Sequence, residues 1–489
     1  LVDPMPQAAE LHYAIDIIEP VPCSVGLGNV LHLRGWCLHP RQRVRRLALV
    51  VNNQAQRVTE YGLKRPDVWQ AFRGHTRHPR QAYYCGFRVT VPLAPRSQPE
   101  ELSLTLQATL QNGEILQHTL PSLTVWPTLR RDPLALPLKI PSAAEGPLVA
   151  ICLATHCPPL ALFERQLQSL LGQSLRNWIC LVSDDASPPE TRAEIARLLA
   201  QDERFSLLPA APERLGFYRN FERCLSFVPP AAEYVALADQ DDYWYPQKLS
   251  TLFAQFAPGI TLAYSDMKLV DEVGQVLFET YWTMRRNNST DLAAFLMKNS
   301  VTGASSMFRR ELLVEALPFP PELCAAYHDH WIGSVALAKG QIAYVPYPLY
   351  DYTRHGGNIT EYHAAPRGAW HQRFFWLIKN LLTAQGSYFA FFAAYELLLR
   401  TVVMSRLLSQ RCATDLTPEK GKALRRLSKA DTSVAIWLWL FWLGLKNWRT
   451  MNATDGAEYE LLLGILWRRL LALRTRLGRP AASSEPNGA

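Results

Sequence analysis

Asp239, Asp241 and Asp242 place three carboxylates within four residues, in the segment Asp239-Gln240-Asp241-Asp242-Tyr243-Trp244. Like charges this close repel, so a fold groups them either around a compensating cation or in free solvent. Hard oxygen ligands suit Mg²⁺ or Mn²⁺, which take one or two carboxylates and fill their other positions with phosphate oxygens and water. A solvated acidic loop is the ordinary reading of such a triplet. Its place after an apolar run and before aromatics and Pro246 favours the cation. The pair Asp184-Asp185, in Ser183-Asp184-Asp185-Ala186-Ser187, is less specific, because such pairs are common in turns and as helix N-caps.

A third cluster reads Tyr327-His328-Asp329-His330-Trp331. Its histidines are wrongly spaced for two zinc ligands on one helix face, and no cysteine pattern accompanies them. Asp329 reads better as a general base, raised in pKa by an apolar setting with Trp331. It also reads as the N-cap of a helix over 331–338, and the two roles are compatible. In a fourth cluster, Tyr352-Thr353-Arg354-His355-Gly356-Gly357-Asn358, an arginine and a histidine beside a Gly-Gly step suit the grip of a diphosphate.

These residues need a scaffold. An apolar run at 148–154 predicts a strand buried on both faces. A helical segment ending near Gly172 follows, then a strand at 178–182, a helix at 190–200, a strand at 205–208, a helix at 217–227 and a strand at 234–238. This alternation predicts an α/β catalytic domain with a Rossmann-like, mostly parallel sheet over 148–365. Ligands of such sheets bind beyond the carboxyl ends of strands, where both acidic segments fall. Residues 1–126 instead predict an all-β sandwich, with strands at 30–36 and 47–51, alternation from Leu102 to Leu110, and a hairpin signal at Asn112-Gly113. Residues 127–147 read as a Pro-rich linker, 366–478 as a helical amphipathic region, and 479–489 as a disordered tail.

At 489 residues, with 48% hydrophobic and 19% charged, the chain is globular and long enough for about three domains. Nine cysteines without a CxxC pair favour a reducing, cytoplasmic setting. The net charge of +8 does not choose between polyanionic partners. From Arg367 onward 18 Lys/Arg face 8 Asp/Glu, so this region carries the basicity. Residues 1–20 carry no secretory signal, and the longest apolar run, 434–445, is a dozen residues where a span needs roughly 20. No transmembrane helix is expected, and surface attachment stays open. The aromatic C-terminal region either packs a helical core or lies at a membrane interface beside Lys446 and Arg449.

In order and spacing, these pieces resemble the family 2 glycosyltransferases of GT-A fold, and within them the bacterial rhamnosyltransferase-like branch. The matching strings are Ala154-Thr155, the Ser183–Ser187 turn, Leu215-Gly216-Phe217-Tyr218-Arg219-Asn220-Phe221-Glu222, the Asp239–Trp244 segment and Lys248-Leu249. Tyr264-Ser265-Asp266, Thr302-Gly303, His328-Asp329-His330-Trp331 and Arg354-His355-Gly356-Gly357-Asn358 continue the match over roughly 215 residues. His156-Cys157 departs from the family's usual Tyr-Asn. Gly35-Trp36-Cys37 and Arg65-Pro66-Asp67-Val68 resemble a β-sandwich module that precedes some bacterial members.

The resemblance implies an inverting transferase that moves a sugar from a UDP- or dTDP-linked donor to a glycan or lipid-linked glycan in O-antigen- or capsule-type synthesis. It implies Mn²⁺ or Mg²⁺ at Asp239, Asp241 and His355, and Asp329 as the catalytic base. Ala154, Thr155, Asp184, Asp185, Gly216, Asn220, Asp239 and Arg354 would bind the donor. Asp242, Trp244, Thr302, Gly303, His328 and Trp331 would lie toward the acceptor. An anionic membrane on the cytosolic face is an expected partner, and nucleic acid is not. A sugar-phosphate nucleotidyltransferase fits less well, since the turn after the first strand lacks glycine and lysine. A dehydrogenase lacks its GxGxxG. A non-catalytic glycan-binding protein that keeps the fold remains the alternative of a different class.

Overall fold

Alternation from Leu102 to Leu110 becomes a strand whose even-numbered residues from 102 to 110 are buried. At Asn112-Gly113 the chain reverses, with Gly113 at φ +90°, a conformation that favours glycine, and Leu110 N–H donating to the Glu114 carbonyl. The computed structural model describes residues 11–58, 60–129, 146–282, 287–323, 327–356, 384–447, 454 and 456–477, without the side chains of 384–390 and 472–477. Most of the expected linker, Gly357, Asn358 and the tail at 479–489 lie outside the described residues.

The N-terminal strands are β1 (His12–Glu19), β2 (Cys23–Ser24), β3 (Asn29–Leu38), β4 (Val44–Val51), β5 (Gln54–Arg57), β6 (Glu60–Leu63), β7 (Gly86–Leu93), β8 (Glu100–Leu110) and β9 (Ile115–Trp126). They form two sheets, ordered β1-β3-β7-β6 and β2-β9-β8-β4-β5. Leu31, Leu33, Phe87 and Val89 from one sheet share a core with Leu47, Leu49, Leu104 and Leu106 from the other, as two packed sheets must. The region is not purely β. Pro66 and Pro79, each at a first helical position, open the short helices α1 (Pro66–Phe72) and α2 (Pro79–Tyr83).

The central region runs β10 (Val149–Thr155), α3 (Leu160–Leu171), β11 (Trp178–Asp184), α4 (Pro189–Leu199), β12 (Phe205–Leu207), α5 (Gly216–Ser226) and β13 (Tyr234–Ala238). It continues through β14 (Tyr243–Trp244), α6 (Lys248–Phe253), β15 (Ile260–Asp271), β16 (Val276–Phe278), α7 (Leu292–Met297), β17 (Ser306–Arg309), α8 (Leu313–Ala316), α9 (His328–Lys339) and β18 (Gln341–Arg354). Every expected element between residues 148 and 238 forms, within a residue or two of its bounds. Alternate residues of β10 feed opposite cores: Val149, Ile151 and Leu153 one, Ala150 and Cys152 the other.

The sheet order is β12-β11-β10-β13-β17-β15-β18-β14, with β16 on β15. "Mostly parallel" needs correction. The half built on β10 is parallel, but β17 runs antiparallel to both β13 and β15, and β14 to β18. The sheet is therefore mixed. Its second half combines the parallel pair β15-β18 with antiparallel neighbours, of which only β15 and β16 are joined by a short return.

Helices Ala384–Arg411, Pro418–Leu427, Val434–Asn447 and Ala457–Leu477 follow. Among the described residues, no helix is long and apolar enough to cross a membrane. The buried Arg411 guanidinium ties three regions together. It donates to the carbonyls of Gly28 at 2.8 Å, Glu315 at 2.9 Å and Pro318 at 2.7 Å, and lies over the Trp331 ring.

Candidate active site

Parallel pairing of β10 with β11 and β13 brings their carboxyl ends to one edge, with Thr155 level with Asp184. Asp239 opens the loop after β13. Thr155 Oγ1 and the His156 N–H both donate to Gln240 Oε1, at 2.8 and 2.9 Å, which fastens the acidic loop to β10.

On β11 the two aspartates are already engaged. Asp184 is buried and accepts from Ser187 Oγ at 2.5 Å and Arg192 Nη1 at 3.1 Å. Asp185 accepts from the N–H groups of Leu215 at 2.6 Å and Gly216 at 2.9 Å, at the start of α5. This is capping by a residue distant in sequence. Asn220 is buried, with Nδ2 donating to the Ser183 carbonyl and Oδ1 accepting from Ser183 Oγ. Gly216 has φ +80°. Ala154 is partly exposed at the strand end.

The Asp239–Trp244 segment and the end of β18 meet because β14 pairs with β18, Tyr243 opposite Asp351 and Trp244 opposite Tyr350. That register brings His355 Nε2 to 2.6 Å from Asp241 Oδ2. Burial raises the Asp241 carboxyl above the usual range, and His355 partly offsets it. Asp239 is pushed up to about 7, first by desolvation, then by the charges of Asp241 and Asp329. Asp242 is wholly buried. Its Oδ1 accepts from Thr353 N–H, while Oδ2 has no hydrogen-bond partner among the described residues. Burial and the neighbouring aspartates raise it strongly.

Beneath them lies Lys248, wholly buried, donating to the Ala304 carbonyl with its ammonium 3.4 Å from the Trp244 ring centre. Arg165 of α3 donates to the Asp241 carbonyl and to Thr353 Oγ1. Arg354 ends β18, paired in register with Asp271.

This donor set fits a hard divalent cation. No cluster of three or more His, Cys, Asp or Glu among the described residues forms a ready cage. Mg²⁺ and Mn²⁺ sites completed by phosphate oxygens need none. Carboxylates that raise each other's pKa, an orphaned carboxylate oxygen and an adjacent imidazole are what a cation would relieve.

Asp329 sits in the first turn of α9, whose N-cap is Tyr327. It does not cap a helix over 331–338, because the helix starts three residues earlier. Its carboxylate accepts from Asn299 Nδ2 at 3.0 Å, the His330 N–H at 2.6 Å and the Gly303 N–H at 3.1 Å. Burial nevertheless pushes its pKa up to about 7.

His328, buried and stacked on Phe221 at 3.8 Å, has neither ring nitrogen hydrogen-bonded among the described residues; burial drives its pKa down to about 3. Trp331 donates to the Ala316 carbonyl inside the core. Asp242, Trp244, His328 and Trp331, expected toward the acceptor, are all buried. Thr302, partly exposed, bonds Ser305 Oγ. A Cβ on Gly303 would lie 2.5 Å from His328 Nε2. Gly303→Ala is expected to cost about 1–3 kcal/mol of stability through overpacking, read as a lower denaturant midpoint with unchanged slope. A midpoint equal to wild type would rule out this tight contact.

Sequence reasoning missed Arg165 and Asn299, and gave Gln240 only as part of the Asp239–Trp244 segment. No local pattern marks them, since each acts on a partner at least 30 positions away. Lys248 was visible only within the matching Lys248-Leu249 string.

Residues 160–316 match the model of the family described as Glycosyl transferase family 2. The match concerns that segment of the chain. An uncharacterized glycosyltransferase of Methanocaldococcus jannaschii is 22% identical over 195 residues, 39% of this chain and 66% of that protein. An uncharacterized protein of Sinorhizobium fredii is 28% identical over 134 residues, 27% of this chain. The chain thus spans 66% and 14% of the lengths of these relatives. Among solved structures, S. aureus TarS residues 1–349 align at TM-score 0.36 and 13% identity, over 68% of this chain and 92% of that one. The mannosyltransferase PcManGT from Pyrobaculum calidifontis, solved with GDP-Man and Mn²⁺, aligns at TM-score 0.35 and 15% identity, over 67% and 90%.

Proposed function

We propose that this chain is an inverting glycosyltransferase that moves a sugar from a nucleotide-sugar, UDP- or dTDP-linked, to a hydroxyl of a glycan or lipid-linked glycan. The process served is surface polysaccharide synthesis of the O-antigen or capsule type. The observation that carries this reading is the 2.6 Å contact of His355 with Asp241 beside Asp239, together with a separately held carboxylate, Asp329 at the head of α9, whose charge acts on Asp239.

Asp239, Asp241 and His355 would hold Mn²⁺ or Mg²⁺, which supplies charge compensation for the departing nucleoside diphosphate. Thr155 and Ala154 shape the nucleotide pocket. Asp184, Asp185 and Asn220 fix the loops around it, Gly216 turns the chain into α5, and Arg354 adds a cation at its rim. Asp329 takes the proton of the acceptor hydroxyl as that oxygen bonds the anomeric carbon and the bond to phosphate breaks. One displacement inverts the centre, and no protein nucleophile is required. A rhamnosyl donor follows only from the branch resemblance. The setting this reading implies is a reducing compartment, on the cytosolic face of a membrane.

The test is hydrolysis and transfer from a panel of UDP-, dTDP- and GDP-sugars with Mn²⁺, Mg²⁺ or EDTA. Metal-dependent turnover of one donor is expected. Silence across the panel, together with no metal-dependent nucleotide binding by calorimetry, would favour the glycan-binding reading.

A further inference from the structure

Helix Val434–Asn447 is apolar on two opposite faces. Ile436 and Leu440 are buried in a core with Tyr395, Leu398, Leu461 and Ile465. The other face carries Val434, Leu438, Phe441, Trp442 and Leu445, exposed by 56, 55, 43, 57 and 49%. Their spacing of four, three, one and three residues puts all five on one stripe. A helix apolar all round is ordinarily buried, and this one is open along its length. With 14 residues it is about 21 Å long, short of the roughly 30 Å of a bilayer's hydrocarbon. It therefore suits a place in the interface plane and not a crossing.

Charge narrows the occupant. From Pro418 to Asn447 the exposed ionic side chains are Lys422, Arg425, Lys429 and Lys446 against Glu419 alone. Asp431 is buried and paired with Arg468. The basic helix Pro418–Leu427 precedes the aromatic one in the chain and touches it through Arg426, whose guanidinium is 5.2 Å from the Trp439 ring. The Lys446 ammonium sits 5.6 Å from the Trp442 ring, on the exposed face itself. Aromatic and aliphatic side chains bordered by lysine and arginine match an anionic bilayer surface, where apolar groups enter the acyl boundary and cations meet headgroups.

The same core reaches the candidate site. Met297, at the end of α7, packs into it, and two residues further on Asn299 holds the Asp329 carboxylate. We propose that the stripe Val434, Leu438, Phe441, Trp442 and Leu445, with Lys422, Arg425, Lys429 and Lys446, docks the protein on an anionic lipid surface. Held on a membrane, the protein would meet a membrane-borne acceptor; that second step rests on the transferase reading, whereas the docking itself does not.

The experiment is flotation of the full chain with vesicles of phosphatidylcholine alone or mixed with phosphatidylglycerol, at low and high salt. Wild type is expected to float with the anionic vesicles and to be released by salt. Combined Leu438→Gln, Phe441→Gln and Trp442→Gln should lower vesicle partitioning about tenfold or more. Combined Lys422→Glu, Arg425→Glu and Lys429→Glu should abolish the preference for phosphatidylglycerol, and this exposed set keeps the test valid if the apolar variant folds poorly. Donor hydrolysis should survive in the charge-reversed protein, so loss of docking and loss of chemistry are read separately. Wild type that fails to float would overturn the proposal, as would charge-reversed protein that floats like wild type. Light scattering that shows a dimer, dissolved by the apolar substitutions, would assign the face to a second copy of the chain.

Discussion

Asp329→Asn should lower sugar transfer by about 10²- to 10⁴-fold, the usual worth of a positioned general base, while donor affinity stays near that of wild type. The amide keeps the shape of the carboxylate and an acceptor oxygen for Asn299 and the His330 N–H, so the turn at the head of α9 should survive, although the Gly303 N–H loses its acceptor. What is lost is the ability to take a proton. The pH profile separates this from a structural defect. Burial pushes the Asp329 pKa up to about 7. A base works only when deprotonated, so kcat/KM should rise with pH through about 7 and then level off. The variant should lack that limb. Asp239 is also pushed to about 7, so the profile is best taken at saturating Mn²⁺, where a bound cation would draw Asp239 down and leave Asp329 as the titrating group. A variant that keeps both the limb and the rate would remove Asp329 from the chemistry.

The position of Asp329 also marks where the sequence stopped being informative. Its apolar setting beside Trp331 was legible from neighbouring residues, and so was a place near the start of a helix. The contacts that hold it were not, because Gly303 and Asn299 reach it from 26 and 30 positions away. The strands around β10 were readable, since burial on both faces writes a continuous apolar run into local sequence. The ends of β11 and β13 then followed, together with the acidic residues they carry.

The second half of the sheet was not readable in that way. Its mixed pairing depends on β17 meeting β13 and β15 antiparallel and on β18 meeting β15 parallel, and no local pattern states that pairing. Asp185 shows how little residue type alone decides. Its residue type fitted a ligand contact, yet both its oxygens cap a helix that begins thirty residues on. An aspartate at a strand end has the same appearance in sequence whether its partner is a ligand or a backbone N–H.

Asp241→Ala is expected to reduce transfer by about 10³-fold, close to 4 kcal/mol of activation free energy, and to remove the response to Mn²⁺. Two roles compete for this residue. In one, its carboxylate is a cation ligand. In the other, it only orients His355, 2.6 Å away. Asp241→Asn distinguishes them, because an amide oxygen can still accept from His355 but is a poor ligand for a hard divalent cation. Loss of activity in both variants, with Mn²⁺ no longer raising the melting temperature or supporting nucleotide binding, would assign the metal role. Asn activity near wild type would leave only the orienting role. His355→Ala should then have the same effect as Asp241→Ala, whereas a milder effect, about tenfold, is expected if Asp239 and Asp241 supply the principal oxygens and phosphate and water complete the shell.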